Sequence, residues 1–109
     1  GITDMGIKDI DPTTLKDWIA EGKAILVDVR EAGERAVERI SDAHHLPLSA
    51  FNPDALPSHD DKIVVYHCAS GGRTRMYGPQ LREVTASAAD VYHLAGGIGA
   101  WKMAGFATE

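Results

Sequence analysis

Two stretches of the chain are continuously apolar and each runs straight into a polar cluster. Ala24 to Val29 reads Ala-Ile-Leu-Val-Asp-Val and leads into Arg30-Glu31, while Lys62 to His67 reads Lys-Ile-Val-Val-Tyr-His and leads into Cys68 and a glycine-rich segment. Unbroken rather than alternating apolar character predicts strands covered on both faces, as in a parallel sheet. Val91 to Leu94 predicts another strand and Leu46 to Leu48 a short one. Helical spacing falls between them. Asp11-Pro12 offers an N-cap followed by proline at the first helical position, Leu15, Trp18 and Ile19 give the apolar stripe, and Gly22 closes it. Further helical segments are predicted around Glu31 to Val37, at Asn52-Pro53 to Leu56, over most of Thr74 to Val84, and through Trp101 and Met103 between Gly96-Gly97 and Gly105. Pro79 falls inside the third of these, where it removes a hydrogen bond and crowds the carbonyl of Arg75, so a kink or a late start is expected there.

Strands separated by helices predict an α/β fold with right-handed crossovers and a parallel sheet covered on both faces. In such sheets ligands bind beyond the carboxyl ends of the strands. The clusters Asp28-Val29-Arg30-Glu31 and Cys68 through Thr74 both follow strands, which places a candidate site there.

Size and composition narrow the function. At 109 residues the chain is expected to be one domain, and no apolar run approaches the length of a membrane-spanning helix. The start, Gly1-Ile2-Thr3-Asp4-Met5, lacks the basic and apolar segments of a secretory signal, and together with the end at Ala107-Thr108-Glu109 it reads as an excised module. A net charge of −5 without a basic cluster argues against nucleic acid as a partner. One cysteine excludes an internal disulfide and speaks against structural zinc, so a reducing, cytoplasmic setting is expected, alone or as part of a larger or membrane-anchored protein. His44-His45, His59 and His93 lack metal-ligand spacing, and no metal or organic cofactor is expected.

The segment Cys68-Ala69-Ser70-Gly71-Gly72-Arg73-Thr74 carries the chemistry. Glycines and a serine between a buried strand and a helix let successive backbone N–H groups converge on one point, and the helix start adds positive potential. A thiolate at the first position would be stabilised there. An inert core cysteine is the plainer reading of a lone Cys, yet it gains nothing from such a loop. Asp28 and Arg30 read as a structural ion pair bracing the strand end rather than as an acid or anion clamp. His67 reads as a packed strand histidine, because neighbours on a strand face opposite sides, and Trp101 as core or loop support.

Three stretches, Leu26-Val27-Asp28-Val29-Arg30-Glu31, His67-Cys68-Ala69-Ser70-Gly71-Gly72-Arg73-Thr74 and Leu94-Ala95-Gly96-Gly97-Ile98-Gly99-Ala100-Trp101, resemble the signature segments of the rhodanese family, in the family's order. The chain is most similar to single-domain rhodaneses, including modules that some bacterial proteins fuse to a membrane hairpin; no hairpin is present here. The resemblance implies a single rhodanese-like domain over 1–109, with a five-stranded parallel sheet and helices on both faces. It implies that Cys68 takes sulfane sulfur from thiosulfate or a persulfide or polysulfide donor and passes it to cyanide or a thiol. The amides of Ala69, Ser70, Gly71, Gly72, Arg73 and Thr74 would hold the persulfide, with Arg73 facing the anionic donor. Small sulfur donors, thiol or cyanide acceptors and protein persulfides are the implied partners. Where family members often carry Gly-His-Ile-Pro-Gly-Ala this chain has Glu38-Arg39-Ile40-Ser41-Asp42-Ala43, so the resemblance leaves that loop open.

Two other readings remain. A cysteine phosphatase or arsenate reductase places five residues between cysteine and arginine, whereas four separate Cys68 from Arg73 and Thr74 takes the longer position. The other is a persulfide-carrying or redox-regulatory module with little turnover.

Overall fold

The computed structural model describes residues 6–109; the start, Gly1 to Met5, on which the expectation about a secretory signal rests, lies outside the described residues. Five parallel strands, β1 (Lys8–Ile10), β2 (Ala24–Asp28), β3 (His44–His45), β4 (Ile63–His67) and β5 (Asp90–Leu94), form one sheet in the order β1-β5-β4-β2-β3. The helices are α1 (Pro12–Ala20), α2 (Ala32–Val37), α3 (Gly72–Met76), α4 (Gly78–Val84) and α5 (Gly97–Met103). The α/β class and the five-stranded parallel sheet are as expected.

The continuous apolar runs of β2 and β4 feed two cores at once, because alternate side chains leave opposite faces. On one face Leu26, Val65 and Leu94 pack with Leu15 of α1 and with Ile98 and Trp101 of α5. On the other, Val27, Val64, Tyr66 and Val91 pack with Leu81 of α4 and with Cys68. Asp11 caps α1 as its sequence suggests, accepting from the Thr14 amide at 3.2 Å. Trp101 is a core residue whose indole N–H donates to the Ala107 carbonyl at 2.9 Å.

Two expectations change, and one strand was not foreseen. The short strand lies at His44–His45 rather than Leu46 to Leu48. Leu46 and Leu48 still donate to the carbonyls of Asp28 and Val29, but Pro47 between them has no N–H to offer and Leu48 opens a 3₁₀ turn. The helix expected over Thr74 to Val84 begins earlier, at Gly72, and breaks at Tyr77. Pro79 then falls in the first turn of α4, where its missing N–H costs nothing, and the expected interruption is met by two short helices. β1 was not visible in the pattern. It is a three-residue edge strand with only Ile10 buried, too short and polar to signal itself.

The segment 38–43 is closed by contacts along the chain. The Glu38 carbonyl accepts from Arg30, Arg39 exchanges backbone hydrogen bonds with Glu109, and Ile40 and Ala43 fill the first core.

Candidate active site

Cys68 follows β4 at the carboxyl edge of the sheet, on the face that also carries Val64 and Tyr66. It is only 1% exposed. Gly71 adopts φ +95°, which turns its N–H back onto the Cys68 Sγ at 3.1 Å. The Thr74 hydroxyl lies 3.7 Å from the same sulfur. Burial pushes the thiol up. Hydrogen bonds from the Thr74 amide and hydroxyl and from the Gly71 and Arg73 amides outweigh it and hold the thiol below its ordinary range. α3 is barely longer than one turn, so these local N–H groups rather than a long helix dipole supply the positive potential.

The loop is clasped from α5. The Cys68 carbonyl accepts from the Ile98 amide at 3.0 Å and the Ala69 carbonyl from the Gly99 amide at 3.2 Å. Ala69 is half-buried, Ser70 and Gly72 are exposed, and Gly71 and Thr74 are buried. Arg73 turns its guanidinium onto Glu34 of α2 in a two-point pair of 2.7 and 2.8 Å. That pair draws the Glu34 carboxyl down to about 2 and raises Arg73 further. The side chain is 35% exposed and stands beside Cys68, which also raises it. Glu34 carries no family-like signal in the sequence; only the docking of α2 brings it here.

Asp28 and Arg30 form a buried, two-point ion pair. Asp28 Oδ1 accepts from the Arg30 amide at 2.9 Å and from Nε at 3.0 Å, and Oδ2 accepts from Nη2 at 2.9 Å. Burial raises the Asp28 carboxyl, but the Arg30 hydrogen bonds, His67 and the Arg30 charge win and leave it low. His67 is fully buried on this opposite face, with Nε2 3.7 Å from Asp28 Oδ2 and Nδ1 3.1 Å from the Cys68 carbonyl oxygen. Burial lowers its basicity. It is a brace for the strand end, turned away from the Cys68 sulfur.

Two residues to which sequence reasoning gave no role lie behind the loop: His93 of β5, weighed there only as a metal ligand, contacts the Thr74 hydroxyl, and Asp9 of β1 contacts His93. No spacing in the chain signals them. Among the described residues no cluster of three or more His, Cys, Asp or Glu is placed to hold a metal ion, and no helix is long and apolar enough to cross a membrane.

The profile of the rhodanese-like domain matches residues 11–104. The chain belongs to the rhodanese-like domain family. Among its relatives is an uncharacterized protein of Synechocystis sp., 43% identical over 99 residues; the match takes in 91% of this chain and 54% of that protein. The rhodanese-like chain thus spans about half the length of this relative. A thiosulfate sulfurtransferase of Actinobacillus succinogenes is 29% identical over 105 residues, covering 96% of this chain and 93% of that one. Among solved structures, a thiosulfate sulfurtransferase from Pseudomonas aeruginosa superposes with a TM-score of 0.80 at 28% identity, covering 94% of this chain and 19% of that one.

Proposed function

We propose that this rhodanese-like chain is a sulfurtransferase that accepts sulfane sulfur on Cys68 and delivers it to a thiophilic acceptor. The observation that carries the reading is a buried sulfur held at 3.1 Å by the Gly71 N–H, its thiol lowered against the effect of burial. Such a sulfur is ionised more readily than a free thiol, and the same donors suit the terminal sulfur of a persulfide.

The reaction is two displacements. The Cys68 thiolate attacks the outer sulfur of thiosulfate; a new S–S bond forms, the old one breaks, and sulfite leaves with the electron pair. Cyanide or a thiolate then attacks the outer sulfur of the Cys68 persulfide, and the Cys68 thiolate leaves unchanged. Persulfides or polysulfides, small or on a protein, can replace thiosulfate as donor. Arg73, tethered by Glu34 at the edge of the loop, meets the anionic end of the donor. No cofactor enters these steps.

Incubation with thiosulfate should add one sulfur atom to Cys68, read by intact-protein mass spectrometry, and cyanide should remove it as thiocyanate. Cys68→Ser should do neither. Thiocyanate production by that variant would sink the covalent route. The four-residue spacing to Arg73 is too tight for a tetrahedral phosphate, so no aryl phosphate should be hydrolysed. Hydrolysis without sulfur loading would replace this reading by the phosphatase one. The 1% exposure of Cys68 favours one variant of the proposal, a persulfide carrier with slow turnover. Loading without repeated turnover toward cellular thiols would select it.

A further inference from the structure

The Thr74 hydroxyl stands between the sulfur and a second buried group that the displacements above leave unused. Its Oγ1 is 3.7 Å from Cys68 Sγ and 2.7 Å from His93 Nδ1, and His93 Nε2 is 2.6 Å from Asp9 Oδ1. Cys68, Thr74 and His93 are 1%, 0% and 1% exposed, whereas the Asp9 side chain is 54% exposed. The line therefore runs from a buried sulfur to a carboxylate that meets water.

Strand register builds this line. Asp9 and His93 are ladder partners, and His93 is in register with Tyr66, so all three leave the face on which Cys68 continues. Tyr66 does not compete for His93, because its hydroxyl turns to the Leu81 carbonyl and Thr85. Among the described residues, the charged or titratable groups brought to this side of His93 include Asp9 from β1, Cys68 from the loop, Tyr66 from β4, and Arg75 of α3, which reaches Asp9 Oδ2 at 3.5 Å.

We infer that Thr74, His93 and Asp9 form a relay that takes the Cys68 proton as the thiolate forms, with His93 as a positioning residue acting through Thr74. The inference rests on the reading of Cys68 as a nucleophile. In the thiol state the S–H donates to Thr74 Oγ1, the Thr74 hydroxyl donates to His93 Nδ1, and His93 Nε2–H donates to Asp9. On ionisation the sulfur proton passes to Oγ1 while the hydroxyl proton passes to Nδ1. The imidazolium then donates to both Asp9 and Thr74, and the Thr74 hydroxyl donates to the thiolate. Proton number is conserved, and each hydrogen bond in the line survives with its direction reversed or kept. The Gly71 carbonyl, 3.2 Å from Thr74 Oγ1, is the competing acceptor for that hydroxyl. A thiol this little exposed gains from a built-in acceptor for its proton, and a nearby imidazolium lowers its pKa.

The test is the rate of Cys68 alkylation by iodoacetamide against pH. His93→Gln keeps an acceptor for Thr74 but cannot carry the proton; its profile should move up by about one pH unit, making alkylation roughly tenfold slower below the midpoint. Asp9→Asn should shift the profile the same way. Thr74→Val should shift it at least as far, and adding His93→Gln to Thr74→Val should change nothing more, because the two act in series. Profiles of His93→Gln and Asp9→Asn that coincide with the native one, or additive shifts in the double variant, overturn the relay. Should His93→Gln fail to fold, Asp9→Asn, changed on a half-exposed side chain, decides alone. Thiosulfate loading is measured in parallel. Shifted midpoints without loading remove the proposed function and keep the relay; loading with unshifted midpoints does the reverse.

Discussion

Gly97 shows how narrowly a single position shapes this site. Its φ is +59°, and a Cβ there would fall 2.5 Å from the Cys68 carbonyl oxygen and 2.6 Å from the Ala69 carbonyl carbon and oxygen. Those are backbone atoms of the sulfur loop, already fixed by the Ile98 and Gly99 amides, so they cannot swing aside. Gly97→Ala should cost about 1–3 kcal/mol of stability through overpacking. Sulfur transfer should fall further, on the order of a hundredfold, because a loop displaced by about 1 Å no longer aims its donors at the sulfur. Urea unfolding and the thiocyanate rate measure the two losses. Gly33 of α2 is the control: a Cβ there meets nothing within 4 Å, so Gly33→Ala should gain roughly 0.5–1 kcal/mol and leave transfer unchanged.

Between elements, the contact that matters most is α2 against α3 through Glu34 and Arg73. Glu34 Oε1 accepts from the Glu31 amide at 3.0 Å as well as from Arg73, so one carboxylate both caps its own helix and holds the arginine. The carboxyl is lowered from 4.5 to about 2, so its contribution is fully present above 4.5 and is lost as pH falls toward 2. Glu34→Gln should cost about 1 kcal/mol at neutral pH, after screening of a pair that is a third exposed, and almost nothing near pH 2. Urea titrations at the two pH values test this; an equal cost at both would mean that charge plays no part in the contact. The break between α3 and α4 belongs to the same scale. Pro79 permits it, but Gly78 also sits against the Ile7 backbone, where a Cβ would come to 3.2 Å, so the chain turns just before the proline.

Across the molecule, the buried pair Asp28–Arg30 joins β2, the segment 38–43 and the end of β4. Arg30 Nη2 reaches both Asp28 and the Glu38 carbonyl, at 2.9 and 2.7 Å, and His67 leans on the same carboxylate. Removing Asp28 leaves the buried Arg30 charge without its carboxylate, and removing Arg30 leaves Asp28 only Arg35, 3.6 Å away; losing the two-point partner costs about 3–5 kcal/mol. Asp28→Ala and Arg30→Ala should each destabilise by that amount, and the double variant by clearly less than their sum, because the second change removes the charge that the first exposed. Additive losses in a double-mutant cycle would show that the two residues act independently. The Cys68 loop remains on the opposite face, so sulfur loading by the folded fraction should persist in these variants.

The sequence by itself determined the parts of this rhodanese-like chain that depend on neighbours along the chain. Continuous apolar runs at β2 and β4 demand cover on both faces, Asp11-Pro12 starts α1, and glycines after Cys68 allow its loop to fold back on the sulfur. Asp28 and Arg30, two residues apart, were legible as a pair for the same reason. Only the tertiary structure decided what the loop meets. Glu34 and Arg73 are 39 positions apart, Thr74 and His93 19, and His93 and Asp9 84. Those meetings follow from strand order and register, which are set by the packing of whole faces rather than by any local spacing. A slip of one residue in β1 or β5 would turn Asp9 or His93 to the other side of the sheet and leave the sulfur loop without either.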